Sequence, residues 1–430
     1  MVQTIRSAWK IDELRGKMIF TMFMLLLYRL GNAVPVPFVD VSLLREYFSS
    51  MQNTVLGLYN VMSGGAFSQA TIFALSIQPY INSSIIMQLL TIAIPALERM
   101  QRDGGEEGKK KIAAITRYAT VAIALIQGFA FYVLLQRNDM LTESGVWQAF
   151  VIVLTFTAGS ALLMWMGEQI TEFGIGNGIS MILFASIVSR FPTSLYQMIV
   201  NVQNGTVSWW MIALTVVGAL AIVVLIVHVT NAERRIPIQY SKRVVGRKMY
   251  GGQSTHLPLK VNMAGVMPVI FAQTIASLPG TIASFLPPPA EGSFWSGFLN
   301  AFTQTSWFYS LIYFLLIIFF AYFYSTMQFN PIEVANNLKK NGGFIPGFRA
   351  GKPTSEFIQK VLNKITLFGA LYLSIVAVTP LIISLFSEQA RNSGISMGGT
   401  SVIIVVGVAL ETVKALESQM VMRHYKGFLE

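Results

Sequence analysis

The chain is organised around residues 57–97, which read GLYNVMSGGAFSQATIFALSIQPYINSSIIMQLLTIAIPAL. The first part, residues 57–68, is apolar but too short to cross a bilayer, which takes about 20 residues. The second part, residues 71–97, is apolar and long enough to cross. A half-length apolar segment therefore precedes a full-length one.

The longer segment has one face that changes character along its length. Five residues spaced by four, three, four and three positions share this face if the segment is helical: Ile77, Ile81, Ser84, Gln88 and Thr91. The first two are apolar and the others polar, and an unpaired amide in hydrocarbon costs several kcal/mol. Two interpretations remain open. Either this face lines a gated aqueous path that residues 57–68 plug, or it makes ordinary hydrogen bonds between helices.

The composition assigns the class of protein. Hydrophobic residues make up 53% of the chain and charged residues 12%, and the mean hydropathy is +0.57. A soluble domain carries about 25% charged residues. The chain is therefore predicted to be an integral membrane protein. It has no cysteine, which excludes a disulfide framework, thiolate metal sites and a cysteine nucleophile.

The apolar runs predict ten membrane-spanning helices. The first five lie near residues 18–38, 71–97, 112–135, 149–167 and 178–188. The second five lie near residues 209–229, 264–285, 307–327, 365–386 and 400–422. The fifth run is the shortest and is expected to use part of residues 189–200. Its Gly-rich start, residues 174–178, predicts a tight hairpin between the fourth and fifth helices.

The basic residues orient these helices. Of the 31 Lys and Arg residues, 26 lie in five regions: residues 1–17, 98–117, 232–262 and 330–364, and the C-terminal tail. The others are Arg29 in the first span and Arg45, Arg137, Arg190 and Arg391 in the loops on the opposite side of the membrane. The positive-inside rule therefore places both termini in the cytosol, and the net charge of +11 needs no nucleic-acid partner.

Ionisable residues are nearly absent from the middle of the predicted spans. Arg29, His228 and Glu411 all lie near a span end, where long side chains reach the interface. A coupled transporter usually carries an acidic residue or histidine near the midplane. An intramembrane hydrolase needs a nucleophile and a base on facing helices. Neither pattern is present, so the sequence disfavours both classes and predicts no enzyme, no metal and no cofactor.

Two of the loops on the basic side are too long to be simple connections. Residues 232–262 alternate apolar and basic side chains, as a basic β-hairpin does. In residues 330–364, Asn330, Pro331 and Glu333 predict the start of a short helix that runs through Lys340. The tip beyond it presents Arg349. Both loops are either docking sites for a soluble partner, the interpretation we favour, or solvated connections.

Several motifs resemble the SecY family, the channel subunits of the Sec protein translocase. They are PYINSSIIMQLL (79–90), GIGNGIS (174–180), QSTHLPLKVN (253–262), NP (330–331) with NLKK (337–340), and IPGFR (345–349). The likeness runs from the first span to the last and is greatest to the bacterial branch. It favours the pore interpretation of the second span over simple contact between helices.

The resemblance implies an all-α fold of ten helices in two pseudo-symmetric halves, residues 1–200 and 201–430, around a central pore. It implies a protein-conducting channel in the bacterial cell membrane, which passes unfolded secretory polypeptides and releases transmembrane segments laterally into lipid. The implied partners are the SecE and SecG subunits, the SecA ATPase, the ribosome, signal sequences with their preproteins, membrane lipids and accessory insertase factors. Since no nucleotide-binding loop is present, a partner has to supply the energy.

The resemblance also assigns site residues. The plug, about residues 57–69, includes Gly57, Tyr59, Asn60, Met62, Gly64, Gly65 and Phe67. The pore ring that seals the channel with it maps onto Ile77, Ile81, Ile179, Leu183, Ile270 and Ile404, with leucine at 183 where some relatives have isoleucine. The lateral gate, in the second, third, seventh and eighth spans, has as candidates Ser84, Gln88, Gln127, Gln273 and Thr274. The motor and ribosome contacts are Arg349, Arg235, Arg247 and Lys248.

Overall fold

A computed structural model describes residues 2–50, 55–205, 208–240, 243–245, 248–250, 254–263, 265–285, 293–303, 306–386 and 395–426. Most of these residues are helical. Up to residue 205 the helices are α1 (Val2–Trp9), α2 (Asp12–Gly31), α3 (Val41–Ser50), α4 (Val55–Met62), α5 (Gln78–Ala93), α6 (Pro95–Arg102), α7 (Gly105–Arg137), α8 (Val146–Phe173), α9 (Gly178–Val188) and α10 (Phe191–Gln203). Beyond it they are α11 (Trp209–Asn231), α12 (Met267–Phe285), α13 (Phe294–Ala301), α14 (Trp307–Gln328), α15 (Pro331–Lys340), α16 (Lys352–Phe386) and α17 (Ile395–Lys426).

The second predicted span is wrong as a single helix. Residues 71–77 form turns, helix α5 covers only Gln78–Ala93, and α6 leaves it at an angle of 101°. Two prolines account for the boundaries. Pro79 lies in the first turn of α5, where its missing N–H costs nothing, and Pro95 holds Ile94 in an extended conformation (φ −110°, ψ 111°).

Within the described residues, six stretches are long and apolar enough to cross a membrane, or seven if α5 and α6 form one broken span. The six are Gly105–Arg137, Val146–Phe173, Gly178–Gln203, Ile212–Asn231, Trp307–Lys340 and Lys352–Phe386. The fifth span does continue beyond residue 188, through α10, as the sequence predicts. The apolar part of α12, Met267–Ala283, is shorter. The count of ten spans remains a prediction.

The helical hairpin predicted at residues 174–178 is confirmed. Helix α8 ends at Phe173 and α9 begins at Gly178. The Asn177 side chain caps α9 by accepting hydrogen bonds from the backbone N–H groups of Ile179 (3.0 Å) and Ser180 (3.3 Å). The turn thus holds the start of α9, and with it Ile179, close to the end of α8.

Two clusters of buried apolar side chains position the site. The central cluster draws on helices α2, α4, α5, α8, α9, α11, α12, α14, α16 and α17. The second cluster, which we call the rim cluster, joins α3, a 3-10 turn at Phe67–Gln69 and one end each of α7 and α8. Helix α11 is different, because few of its apolar side chains are buried and many of the large ones are exposed.

The two long loops fold together into one small sheet. Strand β1 (Glu233–Tyr240) pairs antiparallel with β4 (Ser254–Lys260), which confirms the predicted hairpin. The opposite edge of β1 pairs with β5 (Gly343–Phe344) from the second loop. Strands β2 (Arg243–Val245) and β3 (Lys248–Tyr250) form a separate ribbon. The three-stranded sheet, α15 and the start of α16 enclose a core of their own, and we call this unit the loop domain.

The predicted start of the short helix in the second loop is also confirmed. The Asn330 side chain accepts hydrogen bonds from the N–H groups of Ile332 (3.1 Å) and Glu333 (3.4 Å), with Pro331 in the first turn. Helix α15 ends at Lys340, and Gly342 follows with φ +69°. A left-handed glycine of this kind ends helices without a steric penalty.

Candidate functional site

The segment interpreted as a plug is a short helix followed by a closed turn. Helix α4 ends at Met62, and the chain then turns back at Gly64 (φ +68°) and Gly65 (φ +91°). Glycine suits both positions because it adopts positive φ angles without a steric penalty. The turn closes on Asn60, whose side chain accepts a hydrogen bond from the Ser68 N–H (3.0 Å). All seven predicted plug residues lie in this helix, turn and 3-10 helix: Gly57, Tyr59, Asn60, Met62, Gly64, Gly65 and Phe67.

The plug is held between the two apolar clusters. Met62 belongs to the central cluster, and its sulfur accepts a hydrogen bond from the Gln78 amide (3.1 Å). Phe67 belongs to the rim cluster, where its ring stacks on Phe131 with centroids 4.3 Å apart. Tyr59 accepts a hydrogen bond from Thr281 on α12 (3.5 Å). Three sides of the plug therefore contact different parts of the molecule.

Five of the six predicted pore-ring residues belong to the central cluster and the sixth, Ile179, packs against it, although they come from four separate helical regions. They are Ile77 and Ile81 at α5, Ile179 and Leu183 on α9, Ile270 on α12 and Ile404 on α17. Ile179 is partly buried, and the other five are no more than 3% exposed. The sequence alone indicated only that pairs four residues apart share a face. The tertiary structure places these residues and Met62 of the plug in or against the same apolar cluster.

Ile77 is not in a helix, contrary to the single-span prediction. It is the residue before α5, with φ −91° and ψ 5°, but its carbonyl still accepts the Ile81 N–H (3.1 Å). Ile77 and Ile81 are therefore still separated by one helical turn. Gly167 on α8, which the sequence analysis did not single out, lies against this pair. A Cβ there would lie 3.5 Å from Ile77 and 3.3 Å from Ile179.

The gate candidates lie on helices that contact one another. Helix α12 packs on α5 and α7. On α5, the Gln88 amide donates to the Ser84 hydroxyl (3.1 Å). Tyr324 on α14 donates its hydroxyl proton to Gln88 Oε1 (2.6 Å), which links α14 to α5. Phe271 on α12 meets the Tyr324 ring edge-on at 5.1 Å.

Tyr324, which sequence reasoning did not single out, is the residue that contacts the gate candidate Gln88 from α14. It lies in the aromatic run 319–324, and only its hydroxyl group could have distinguished it from the neighbouring phenylalanines. Of the other candidates, Thr274 donates to the Ile270 carbonyl of its own helix (2.8 Å). Gln273 is buried, and its Oε1 has no hydrogen-bond partner among the described residues. Gln127 is partly buried on α7.

Arg349 is exposed on a firmly held turn of the loop domain. Gly347 (φ +88°) and Gly351 (φ +105°) allow the turn, and Phe348 stacks on Phe357 at 4.1 Å. The Thr354 hydroxyl donates to the Arg349 carbonyl (2.7 Å). This geometry presents the guanidinium group outward at a low cost in chain ordering.

The other three predicted contact residues lie in the first of the two loops. Arg235 is exposed on β1, and its Nε donates to Glu233 Oε1 (2.7 Å), so its charge is already paired. Lys248 is the first residue of β3 and pairs in register with Val245. Arg247 lies outside the described residues.

A helical membrane protein in which a short apolar helix packs into a central cluster of buried side chains from many helices fits the architecture of a membrane channel. A sequence model of the SecY family matches residues 71–413. The chain belongs to the SecY family, whose members are protein-translocation channels and not enzymes. The prediction from sequence motifs is thus confirmed.

The relatives extend over the full chain. The chain is 42% identical to the protein translocase subunit SecY of Streptomyces scabiei and 40% identical to that of Aquifex aeolicus (strain VF5), over 100% of both chains in each case. A solved structure described as a protein conducting channel has a TM-score of 0.66 at 16% identity, covering 95% of this chain and 93% of that one. Sec61 in the canine ribosome-channel complex has a TM-score of 0.63 at 15% identity, with 95% and 93% coverage. At these identities the two structures show that the fold is shared.

Proposed function

We propose that this chain passes unfolded secretory polypeptides across a bacterial cell membrane and releases transmembrane segments sideways into lipid. The observation that carries the proposal is a single apolar cluster that contains five of the six pore-ring residues and the plug residue Met62, with the sixth, Ile179, packed against it. The ring draws on α5, α9, α12 and α17, so it can widen when these helices separate.

An apolar ring suits this task because it is dry when closed and unspecific when open. Hydrated ions do not cross an apolar constriction that has lost its water. The branched side chains offer no hydrogen bonds to a passing peptide, so they do not select among sequences. The plug adds a second barrier at rest through its contacts with the ring and with α12.

We place the lateral gate between α5 and α7 on one side and α12 and α14 on the other. The bond between Tyr324 and Gln88 closes this boundary between α14 and α5. A signal segment that inserts here replaces the contacts between helices with its own apolar surface. It shifts the equilibrium towards the open form by as much as it binds that form better.

The hydrogen bond from Tyr324 to Gln88 should set how apolar a signal segment must be to open this gate. Tyr324→Phe removes one hydrogen bond, worth about 1 kcal/mol, and should raise export of a marginally apolar signal about fivefold. The measurement uses vesicles with the reconstituted channel complex, a motor and ATP. It scores protease-protected product for clients whose signals gain one leucine at a time.

Tyr322→Phe is the matched control for this experiment. Tyr322 lies two residues away on α14, and its hydroxyl donates to the Asn363 carbonyl (3.2 Å) instead of to α5. This variant should keep the wild-type threshold. Equal thresholds for all three proteins would remove Tyr324 from the gate. If wild-type vesicles protect no client at any signal length, the proposed function itself is wrong.

We further propose ten spans in two halves, residues 1–200 and 201–430, with both termini in the cytosol. Three of the proposed spans, formed by α11, α12 and α14, lie between Gln203 and Glu356, so these two exposed residues should be on opposite faces. Because the chain has no cysteine, an introduced cysteine is the only thiol in it that a labelling reagent can modify. Glu356→Cys should react with an impermeant thiol reagent only from the cytosolic face, and Gln203→Cys only from the other. Labelling of both from one face would refute this topology.

We propose that a soluble partner drives transport by docking on the loop domain at Arg349. The folded sheet and the stacked turn behind Arg349 support a docking surface over a solvated connection. The SecA ATPase and the ribosome are the proposed partners, and a ribosome complex is named among the structural neighbours. The exposed apolar surface of α11 leaves room for small membrane subunits such as SecE and SecG.

A further inference from the structure

The C-terminal end of the plug helix is bound by groups from the surrounding helices. The last carbonyl groups of any α-helix lack partners within that helix. Beyond Met62, where α4 ends, the Ser63 carbonyl accepts a hydrogen bond from the Tyr28 hydroxyl on α2 (3.2 Å). The Asn60 carbonyl accepts one from Arg190 Nη1, at the turn between α9 and α10 (3.1 Å).

Both donors also contact groups outside the plug. Tyr28 is fully buried, and its hydroxyl lies 2.6 Å from the Ser186 hydroxyl on α9. A hydroxyl has one proton to give. The Ser186 hydroxyl also lies 2.8 Å from the Ile182 carbonyl. When Ser186 donates to Tyr28 instead of to Ile182, the tyrosine proton is left for the Ser63 carbonyl. Near Arg190, Ser189 donates to the Ser186 carbonyl (2.7 Å), which braces the end of α9.

The plug backbone lies directly against this end of α9. A Cβ added at Gly64 would lie 3.1 Å from the Ser186 carbonyl oxygen and 3.1 Å from the Ser189 hydroxyl. Glycine therefore lets the plug approach closely enough for both hydrogen bonds to form. The contacts are made to main-chain carbonyls, so they hold the plug by its backbone and do not depend on the identity of its side chains.

The charge of Arg190 suits this position. The C-terminal end of a helix carries partial negative charge, so a guanidinium group there is stabilising. Arg190 is partly buried, and a charge-assisted hydrogen bond is stronger than a neutral one. The Asn60 carbonyl also accepts hydrogen bonds from the Gly65 N–H (2.8 Å) and the Ser63 hydroxyl (3.1 Å) within the plug, and it keeps these when the plug leaves. Arg190 loses this acceptor, and that loss favours the seated plug.

We propose that Tyr28 and Arg190 form a seat that retains the plug, and that they set how often the plug leaves the channel at rest. They are positioning residues, because they touch the plug and not the polypeptide that is transported. This inference rests on the proposed function, in which residues 57–69 act as a plug. It adds two residues outside the plug and the ring to the sealing mechanism.

The test measures plug exposure directly with a cysteine in the plug. Met62→Cys places a single thiol at a position that is buried while the plug is seated. We expect an impermeant maleimide outside sealed vesicles to label this cysteine about tenfold faster when Tyr28→Phe or Arg190→Gln is added. Arg190→Lys should lie between, because an ammonium group keeps the charge but not the guanidinium geometry.

Arg45→Gln is the matched control, since Arg45 is an exposed arginine on α3 and should not change the labelling rate. The thermal unfolding midpoints of all variants should be alike. Wild-type labelling rates in both seat variants would overturn the inference, and so would faster labelling that follows a lowered midpoint. If the cysteine in the parent protein stays unlabelled even during active export, the plug does not move, and the proposed role of residues 57–69 as a plug fails instead.

Discussion

Replacing both Ile81 and Ile270 by asparagine should raise the resting ion conductance of the reconstituted channel at least about tenfold, while polypeptide export continues. Both side chains are no more than 3% exposed and belong to the cluster that contains the plug residue Met62. Amide groups keep water in the constriction and remove the dewetting barrier. A tenfold change corresponds to about 1.4 kcal/mol, which is small against the cost of drying two amides.

The control for this experiment keeps the ring dry. Valine at both positions removes one methylene group from each side chain and adds no polar atom, so conductance should stay near the wild-type value. Planar-bilayer recording measures conductance, and protease protection of a client in the same preparation measures export. Baseline conductance combined with lost export in the asparagine variant would make the two isoleucines structural packing and would contradict the pore assignment.

Arg349→Glu should reduce motor-driven export more than about tenfold without affecting folding. The side chain is exposed, and the turn is held by the Phe348–Phe357 stack and by the Thr354 hydroxyl, none of which involves the guanidinium group. A glutamate places like charges at a contact that should bind a carboxylate of the partner. Arg349→Lys should restore only part of the activity, because a point charge cannot form the bidentate pair.

Lys352→Glu is the matched control, because Lys352 is exposed three residues further along the same loop. Protease-protected client in vesicles with motor and ATP gives the export rate for each variant, and co-purification of the membrane subunits reports assembly. If both reversals reduce export equally, the partner responds to net charge and not to Arg349. If Arg349→Glu exports like wild type, this loop is only a connection.

Local features of the chain were predictable where a few neighbouring residues decide them. The cap at Asn330, the helix that ends at Lys340 and the hairpin before α9 all depend on side-chain to backbone hydrogen bonds or glycine angles within a few positions. The prediction was wrong at residues 71–97, where hydropathy is continuous but backbone geometry is not. Pro79 and Pro95 bound the helix, and an apolar run does not reveal such a boundary.

The pairing of distant elements was beyond the reach of sequence patterns. Nothing in residues 232–262 indicates that β1 would receive β5 from a loop some hundred residues later, and an edge strand accepts any partner with free backbone groups. The link between Tyr324 and Gln88 has the same origin. A hydroxyl and an amide are compatible with many partners, and only the packing of α14 near α5 selects this one.

The sequence by itself determined the class of protein, the SecY family, the starts of several helices and the existence of a short apolar segment before a longer one. These depend on composition, on motifs and on interactions between residues near in the chain. Only the tertiary structure decided that Ile77, Leu183, Ile270 and Ile404 fall in one buried apolar cluster, and that Tyr28 and Arg190 donate hydrogen bonds to the main-chain carbonyls of Ser63 and Asn60. Apolar burial is non-directional, so the pattern says which residues avoid water, and the way the helices pack decides which of them touch.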